Sequence, residues 1–400
     1  MAESRSSAFD RTKHAPVPLW RDIRILQVAA QIIFLVLVAA FFVILIRNLV
    51  INLEESNLAI DFGMVNRPFG TMISEGTTSF KPGESTNLDA LWVGLRNTLR
   101  VVVVGLIGAT IMGILIGIGL LSSNFLVRSA AWSYVELFRN TPLLVQLYFI
   151  YRGLRLTMPI KLADSYKLPG PIYINRRAVN FPLIEGTDTA SRLYIALALG
   201  LTIGITLWIW RLRVMERTGQ PAHTLRWFLP PVIGLAVVGW FLAGDPFTVE
   251  DPVLQGLNFQ GGDKLTIEYI TLTLGLVLYT AAFIADIVRA GIQAVPFGQI
   301  EAARAQGFGG GQTLRLIVLP QALRLIIPPL GNQYLNLAKN SSLGIAVSFF
   351  DVYNVANETS NVTGQSVAVF AIMMVIYLSM SLIISLIMNA LNYSMRLRER

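Results

Sequence analysis

The chain has no cysteine, only two histidines, and few charges, with Asp, Glu, Lys and Arg making up 14% of its 400 residues. Without cysteine there is no disulfide and no thiol chemistry. His14 and His223 are too few for a histidine-rich metal site. No Gly-Lys pair occurs, so the phosphate-binding pattern in which Gly-Lys precedes Ser or Thr is missing. The chain is therefore not expected to bind a nucleotide. It carries no motif for enzyme chemistry, so no catalytic residue, metal or cofactor is assigned. Low-complexity segments and a half-to-half repeat are also missing. Soluble domains are about a quarter charged. The shortage of charge, with 54% hydrophobic residues and a mean hydropathy of +0.58, points to lipid instead.

What is present is a series of apolar runs. A spanning helix needs about 20 mostly apolar residues to cross roughly 30 Å of hydrocarbon. Residues 28–46, 101–121, 193–210, 227–244, 269–285 and 367–391 carry no charge and meet or approach that length. Two further runs, about 134–152 and 325–349, include polar residues. The expected class is an all-α polytopic membrane protein with about eight spans. The first run is too long for the core of a signal peptide and lacks a small-x-small cleavage site, so it is expected to remain as an anchor.

The net charge of +8 follows this topology and is no sign of nucleic-acid binding. With eight spans both termini share a side. The segments on that side hold seventeen Lys and Arg residues against twelve on the other, and are shorter in total. The positive-inside rule places both termini in the cytoplasm. Residues 1–24 then form a basic cytoplasmic tail, and 25–91 the first span with a long outer loop, expected to be little structured over 48–96. A second outer loop, 156–190, contains Pro159, Pro171 and Pro182, which break regular structure. Residues 211–226 form a short basic inner loop. Gly113 with Gly117, and Gly200 with Gly204, form small-xxx-small pairs that let helices approach closely in lipid.

Polar residues at membrane depth are the candidates for mechanism, because a charge at the bilayer centre costs about 2.5–3.5 kcal/mol on insertion scales. Glu136 and Arg139 are three apart, as are Asp286 and Arg289, so each pair lies on one helical face and can form a local ion pair. Such pairs either anchor helices at the interface or line a transport path. In the seventh span Asn332, Asn336 and Asn340 recur every four residues, with Lys339 beside the last. Pro328 and Pro329 free backbone groups just before them, and freed backbone at this depth needs protein or water to complete it. A hydrated path for a polar solute is one reading; amides bonded to neighbouring helices is the other.

Residues 301–320, EAARAQGFGGGQTLRLIVLP, stand apart. Glu301, Ala302, Ala303 and Arg304 favour helix. Gly307 and Gly309–Gly311 stop it, and an amphipathic return runs to Pro320. A short helix, a glycine turn and a returning helix on the cytoplasmic side present a surface that another protein could close over.

This stretch resembles the EAA loop of ABC importer permeases: Glu301-Ala302-Ala303, three residues, Gly307, nine residues, Ile317, then Leu319-Pro320. YVELFRNTPLLVQL (134–147), TAAFIADIVRAGI (280–292), PQALRLIIPPLGNQYLNLAKNSSL (320–343) and WVGLRNTLRVVVVG (92–105) are similar to the polar amino-acid branch of these permeases, in its general L-amino-acid form. The resemblance implies a type I importer permease domain over 92–395 with a five-helix core, a helix pair inserted at about 191–245, and a coupling loop at 298–320. It implies that Glu301, Ala302, Ala303 and Gly307 dock on a separate ATP-binding cassette ATPase dimer. It also implies a second homologous permease in a heterodimer, a periplasmic amino-acid-binding protein, and a bacterial inner membrane around the assembly. Asn332, Asn336, Lys339, Asn340, Asp286, Arg289, Glu136 and Arg139 are then candidates for the translocation path. The alternative function is an ion-coupled secondary transporter of a small polar solute, with Asp286, Glu136 or Lys339 as coupling groups.

Overall fold

The computed structural model describes residues 23–55, 60–75, 80–221, 223–256 and 258–395. The basic tail expected over 1–24 lies outside these residues but for its last two positions. Among the described residues seven helices are long and apolar enough to cross a membrane. The first, α1 (Ile23–Glu55), is apolar on every side and its described side chains are almost all exposed.

The centre of the molecule is the pairing of α2 (Asn87–Leu120) with α7 (Ile267–Gln293). Both start at a side-chain cap. Thr86 Oγ1 accepts from the Asp89 N–H while Asp89 accepts from the Thr86 N–H, a reciprocal capping box. Thr266 Oγ1 accepts from the Tyr269 N–H. Along the seam the side chains are small. A Cβ at Gly113 would lie 2.6 Å from Cβ of Ile284, and one at Gly117 would lie 2.8 Å from Cβ of Val288. Ala281, Ala282 and Ala285 are fully buried on the opposing face. The expected small-xxx-small contact at 113 and 117 is therefore this seam. Gly200 and Gly204 serve the same purpose between α5 (Ala190–Thr218) and α6 (Thr224–Ala243), where a Cβ would crowd the backbone of Pro231 and Phe228.

The run expected as one span at 134–152 is two helices, α3 (Phe125–Asn140) and α4 (Leu143–Thr157). They part at Thr141, which takes extended angles before Pro142. The Gln146 amide repairs the break by donating to the carbonyls of Phe138 (2.9 Å) and Thr141 (2.8 Å). Together the pair runs the length of the bundle. Ala131 of α3 faces Gly119 near the end of α2, and Tyr151 of α4 donates to Glu268 in the first turn of α7.

After α7 come α8 (Phe297–Ala305), α9 (Gly310–Thr313), a single π-helical turn at Leu314–Val318, and α10 (Leu319–Asn340). The break expected at Pro328–Pro329 is not there, because the helix continues through both prolines. The interruption falls after Asn340, where the chain tightens into a 3-10 helix (Ser341–Val347) and turns at Ser348, φ 62°. Then α11 (Val352–Thr363) and α12 (Ser366–Ser394) close the chain. Besides its pairing with α2, α7 packs against α10, α3 and α4, and α12 packs against α10 and α11. Neither α5 nor α6 makes more than marginal contact with any other helix.

At the end of the bundle where α2 and α7 begin, the connecting loops are more ordered than expected. Among the described residues, the 156–190 loop, whose prolines suggested irregular structure, and segment 246–267 form eight short strands. Strands β1 (Tyr166–Leu168), β2 (Ile172–Ile174), β3 (Ala178–Phe181) and β8 (Asp263–Thr266) make an antiparallel sheet in that order. Strand β4 (Leu183–Gly186) pairs with β5 (Phe247–Glu250), and β6 (Val253–Gln255) with β7 (Asn258–Gln260). The first loop, expected to be little structured, instead folds as a strap. It carries a 3-10 turn at Phe62–Asn66 and a bridge between Pro68 and Thr86. Met64 and Phe69 are buried in a cluster with Leu91, Val355, Ala356, Ala368 and Val369. Their apolar side chains anchor a loop whose polar composition suggested disorder.

Replacing Gly113 with leucine should force α2 and α7 apart, at an overpacking cost of about 1–3 kcal/mol. Thermal unfolding of the purified chain is expected to show a lower midpoint for Gly113→Leu, whereas Gly234→Leu, whose Cβ would meet open space, should leave it unchanged.

Candidate functional site

The helix–turn–helix expected over 301–320 is present. Gly307 sits at φ 84°, where a side chain would strain the backbone. Its N–H donates to the Arg304 carbonyl (2.9 Å), and the Phe308 N–H donates to that of Ala303 (3.1 Å), closing the end of α8. At the start of α9, Gln312 accepts from the Gly309 N–H at 2.9 Å. At the base of the hairpin the Gln321 amide donates to Gln299 Oε1 (2.6 Å) and to the Ile317 carbonyl (2.9 Å). Ala303 is buried in the hairpin, so it does not share the free surface expected for it; Glu301, Ala302 and Gly307 remain exposed beside the exposed Phe297. The result is a firmly held knob with a small apolar and acidic face turned away from the chain.

Of the two expected local pairs, Asp286–Arg289 forms and Glu136–Arg139 does not. Glu136 does not meet Arg139; it accepts from the Asn140 amide at 2.8 Å. Arg139 reaches from α3 to α7 and pairs with Asp286, which also faces Arg289 at 3.4 Å. Arg139 stacks over Phe283 as well, 5.3 Å from the ring centre. One carboxylate thus lies between two guanidiniums and ties α3 to α7.

The stripe on α10 faces outward. Asn332, Asn336 and Lys339 are exposed and Asn340 is half-buried. Among the described residues none is hydrogen-bonded to the three side-chain amides, so the reading in which they bond to helices of the same chain fails. Lys339 lies at the edge of a groove of about 620 Å³ between α10 and α12, which includes Ser342, Tyr353, Tyr377 and Ser381.

Two acids that the sequence did not single out organise the opposite end. Asp351 is fully buried and caps α11, its Oδ1 accepting from the Asn354 N–H at 2.8 Å and its Oδ2 from the Tyr377 hydroxyl at 3.3 Å. The next residue, Val352, donates its N–H to Thr98 of α2 at 3.0 Å. Burial pushes the Asp351 carboxyl up to about 7. Glu75, in the strap, accepts from Ser74 and from Thr266 at the cap of α7, both at 2.7 Å, and burial raises its pKa too. Asn97 donates to the Glu75 and Phe350 carbonyls. Arg100 lies over the Tyr269 ring, 5.3 Å from its centre, and both line a small cavity with Glu75, Asn97 and Thr266. The only signal for Asp351 was an acid directly before a helix-forming run. Glu75 gave none.

A bundle of membrane-length helices with an exposed hairpin at one end and a polar stripe on the outward face of α10 defines a polytopic membrane protein of the permease class. Residues 109–397 match the family of binding-protein-dependent transport system inner membrane components, and the chain belongs to it. It is similar to the general L-amino acid transport system permease protein AapQ of Rhizobium johnstonii, at 40% identity over 92% of this chain and 92% of that one. It is also similar to the glutamate/glutamine/aspartate/asparagine transport system permease protein BztB of Rhodobacter capsulatus, at 37% identity over 95% and 96%. The putative amino-acid ABC transporter permease protein YhdX of Escherichia coli K12 is 36% identical over 92% and 94%.

Asp351 makes stability depend on pH. With its folded pKa raised, its favourable contribution is complete below the ordinary carboxylate range and is lost as pH rises through about 7. The unfolding midpoint is expected to fall between pH 5 and pH 8 by on the order of 5 °C. Asp351→Asn, which keeps a competent helix cap, should flatten that fall and match or exceed the wild type at pH 8.

Proposed function

We propose that the chain is the transmembrane permease subunit of an ATP-driven, binding-protein-dependent importer of L-amino acids. The observation that carries this reading is the hairpin. An exposed Glu301–Ala302 surface is mounted on a turn that only glycine fits well, and is braced at its base to α10. A separate ATPase dimer would grip this knob. Because α8 follows α7 directly and contacts the π turn leading into α10, a displacement of α8 acts on both spans at once. The substrate class is supported by the names of the relatives, which are amino-acid permeases along nearly their whole length.

In this reading 92–395 is the permease domain, 298–320 the coupling loop, and α5–α6 an insertion. The outward amide face of α10, with Lys339, lines the path opposite a second homologous permease. A periplasmic amino-acid-binding protein delivers substrate to the end that carries the strands. The Arg139–Asp286–Arg289 cluster holds α3 to α7 on the inner side of that path. Both termini and the hairpin are cytoplasmic.

Two experiments test this. In proteoliposomes containing the full assembly, Glu301→Lys and Gly307→Asp should leave insertion intact but lower amino-acid uptake per ATP hydrolysed by on the order of tenfold, within the usual range of coupling energies. Wild-type coupling in both variants would refute the docking role. Since the chain has no native cysteine, Ala302→Cys provides a unique label. An impermeant maleimide should modify it in inverted vesicles and not in sealed cells; the opposite result reverses the sidedness.

A further inference from the structure

The inserted pair α5–α6 ends in a feature that the transport reading leaves unused. Segment 211–226, which joins the two helices, carries Arg211, Arg213, Arg217, His223 and Arg226 against the single acid Glu216. Between the helix ends lies a groove of about 450 Å³. Its mouth is basic, with Arg211, His223 and Arg226; its shaft is apolar, with Leu207, Trp227 and Pro231. Arg211 is held in place at the mouth. Its guanidinium lies 5.8 Å from the Trp210 ring and 5.5 Å from the Trp227 ring, and donates to the Pro221 carbonyl at 3.4 Å. The two indoles meet edge to face at 6.0 Å. Trp210 and Trp227 are both about half exposed, at 49% and 43%.

Each element has a physical consequence. Indoles gather at the boundary between hydrocarbon and headgroups, so the tryptophan pair marks the depth of the groove. Basic pockets between spanning helices at that depth attract acidic headgroups. The apolar shaft lies between two helices that the core leaves uncovered, where Leu207, Trp227, Pro230 and Pro231 line it. A soluble anion has nothing to place there, whereas an acyl chain does. A peptide would have to leave its backbone unpaired in hydrocarbon. Both α5 and α7 begin at the layer of strands, so this groove lies at the same membrane face as α8.

The geometry points to a binding site for one acidic phospholipid, its phosphate at Arg211, His223 and Arg226 and its acyl chain along Leu207, Trp227 and Pro231. The site belongs to the α5–α6 pair alone and is independent of which solute is carried.

The test uses the full chain in nanodiscs of mixed phosphatidylglycerol and phosphatidylcholine, with retained lipid measured by native mass spectrometry. Wild type should retain phosphatidylglycerol selectively. Arg211→Gln with Arg226→Gln should lower that selectivity by on the order of tenfold, given the attraction of each basic side chain near an anionic surface. The Lys pair at the same positions should restore most of it, as should Arg226→Gln alone restore part, which covers misfolding of the double variant. Arg128→Gln, on the same face but outside the groove, should match wild type. Unchanged selectivity in the double Gln variant overturns the site. So does an equal loss in Arg128→Gln, which would mean diffuse surface charge. Complete displacement by glycerol 3-phosphate would make it a site for a free anion, and a protein retained in the groove would make it a subunit contact; either rejects the proposal.

Discussion

The close approach of α2 and α7 is the constraint on which the rest of the structure depends. In lipid the hydrophobic effect does not drive helices together, so contact must come from dispersion at short range. Gly113 and Gly117 on one side, and Ala281, Ala282 and Ala285 on the other, bring the backbones near enough for that. With α2 and α7 locked, α7 offers its remaining faces to α3, α4 and α10, and α2 offers its beginning to α11. Any side chain that wedged this seam would move all of them.

The polar groups are placed where the bundle would otherwise slide. Arg139 and Asp286 fasten α3 to α7 at one depth, while Gln146 satisfies the carbonyls freed where α3 and α4 part. At the other end Asp351, Thr98 and Tyr377 join α11 to α2 and α12, and Glu75 joins the strap to the cap of α7. Each is a directional contact across two elements, made where apolar packing alone leaves register undetermined. The hairpin at 297–318 is held by its own hydrogen bonds and by Gln321 at its base.

The added parts have a different character. The strap and the strands cover one end of the bundle, and α5–α6 stand beside it with glycines that serve only their own pairing. That separation leaves the α2–α7 seam undisturbed by the pair. It also leaves a membrane-facing surface that evolution can use for lipid.

The span positions and the helix–glycine–helix outline of 301–320 were legible in the residues, because each rests on local physics: length of apolar run and the conformational freedom of glycine. Prolines misled twice. Pro142 broke a run that looked continuous, and Pro328–Pro329 failed to break one, because whether a freed carbonyl finds a partner depends on neighbours distant in sequence. The same reason hid the partner of Arg139, which lies on another helix and not three residues away, and the burial of Glu75 and Asp351. Sequence by itself determined what could enter the membrane and where the chain could turn. Only the tertiary structure decided which polar groups meet, since in a low-dielectric interior each must find whichever partner the packing brings within reach.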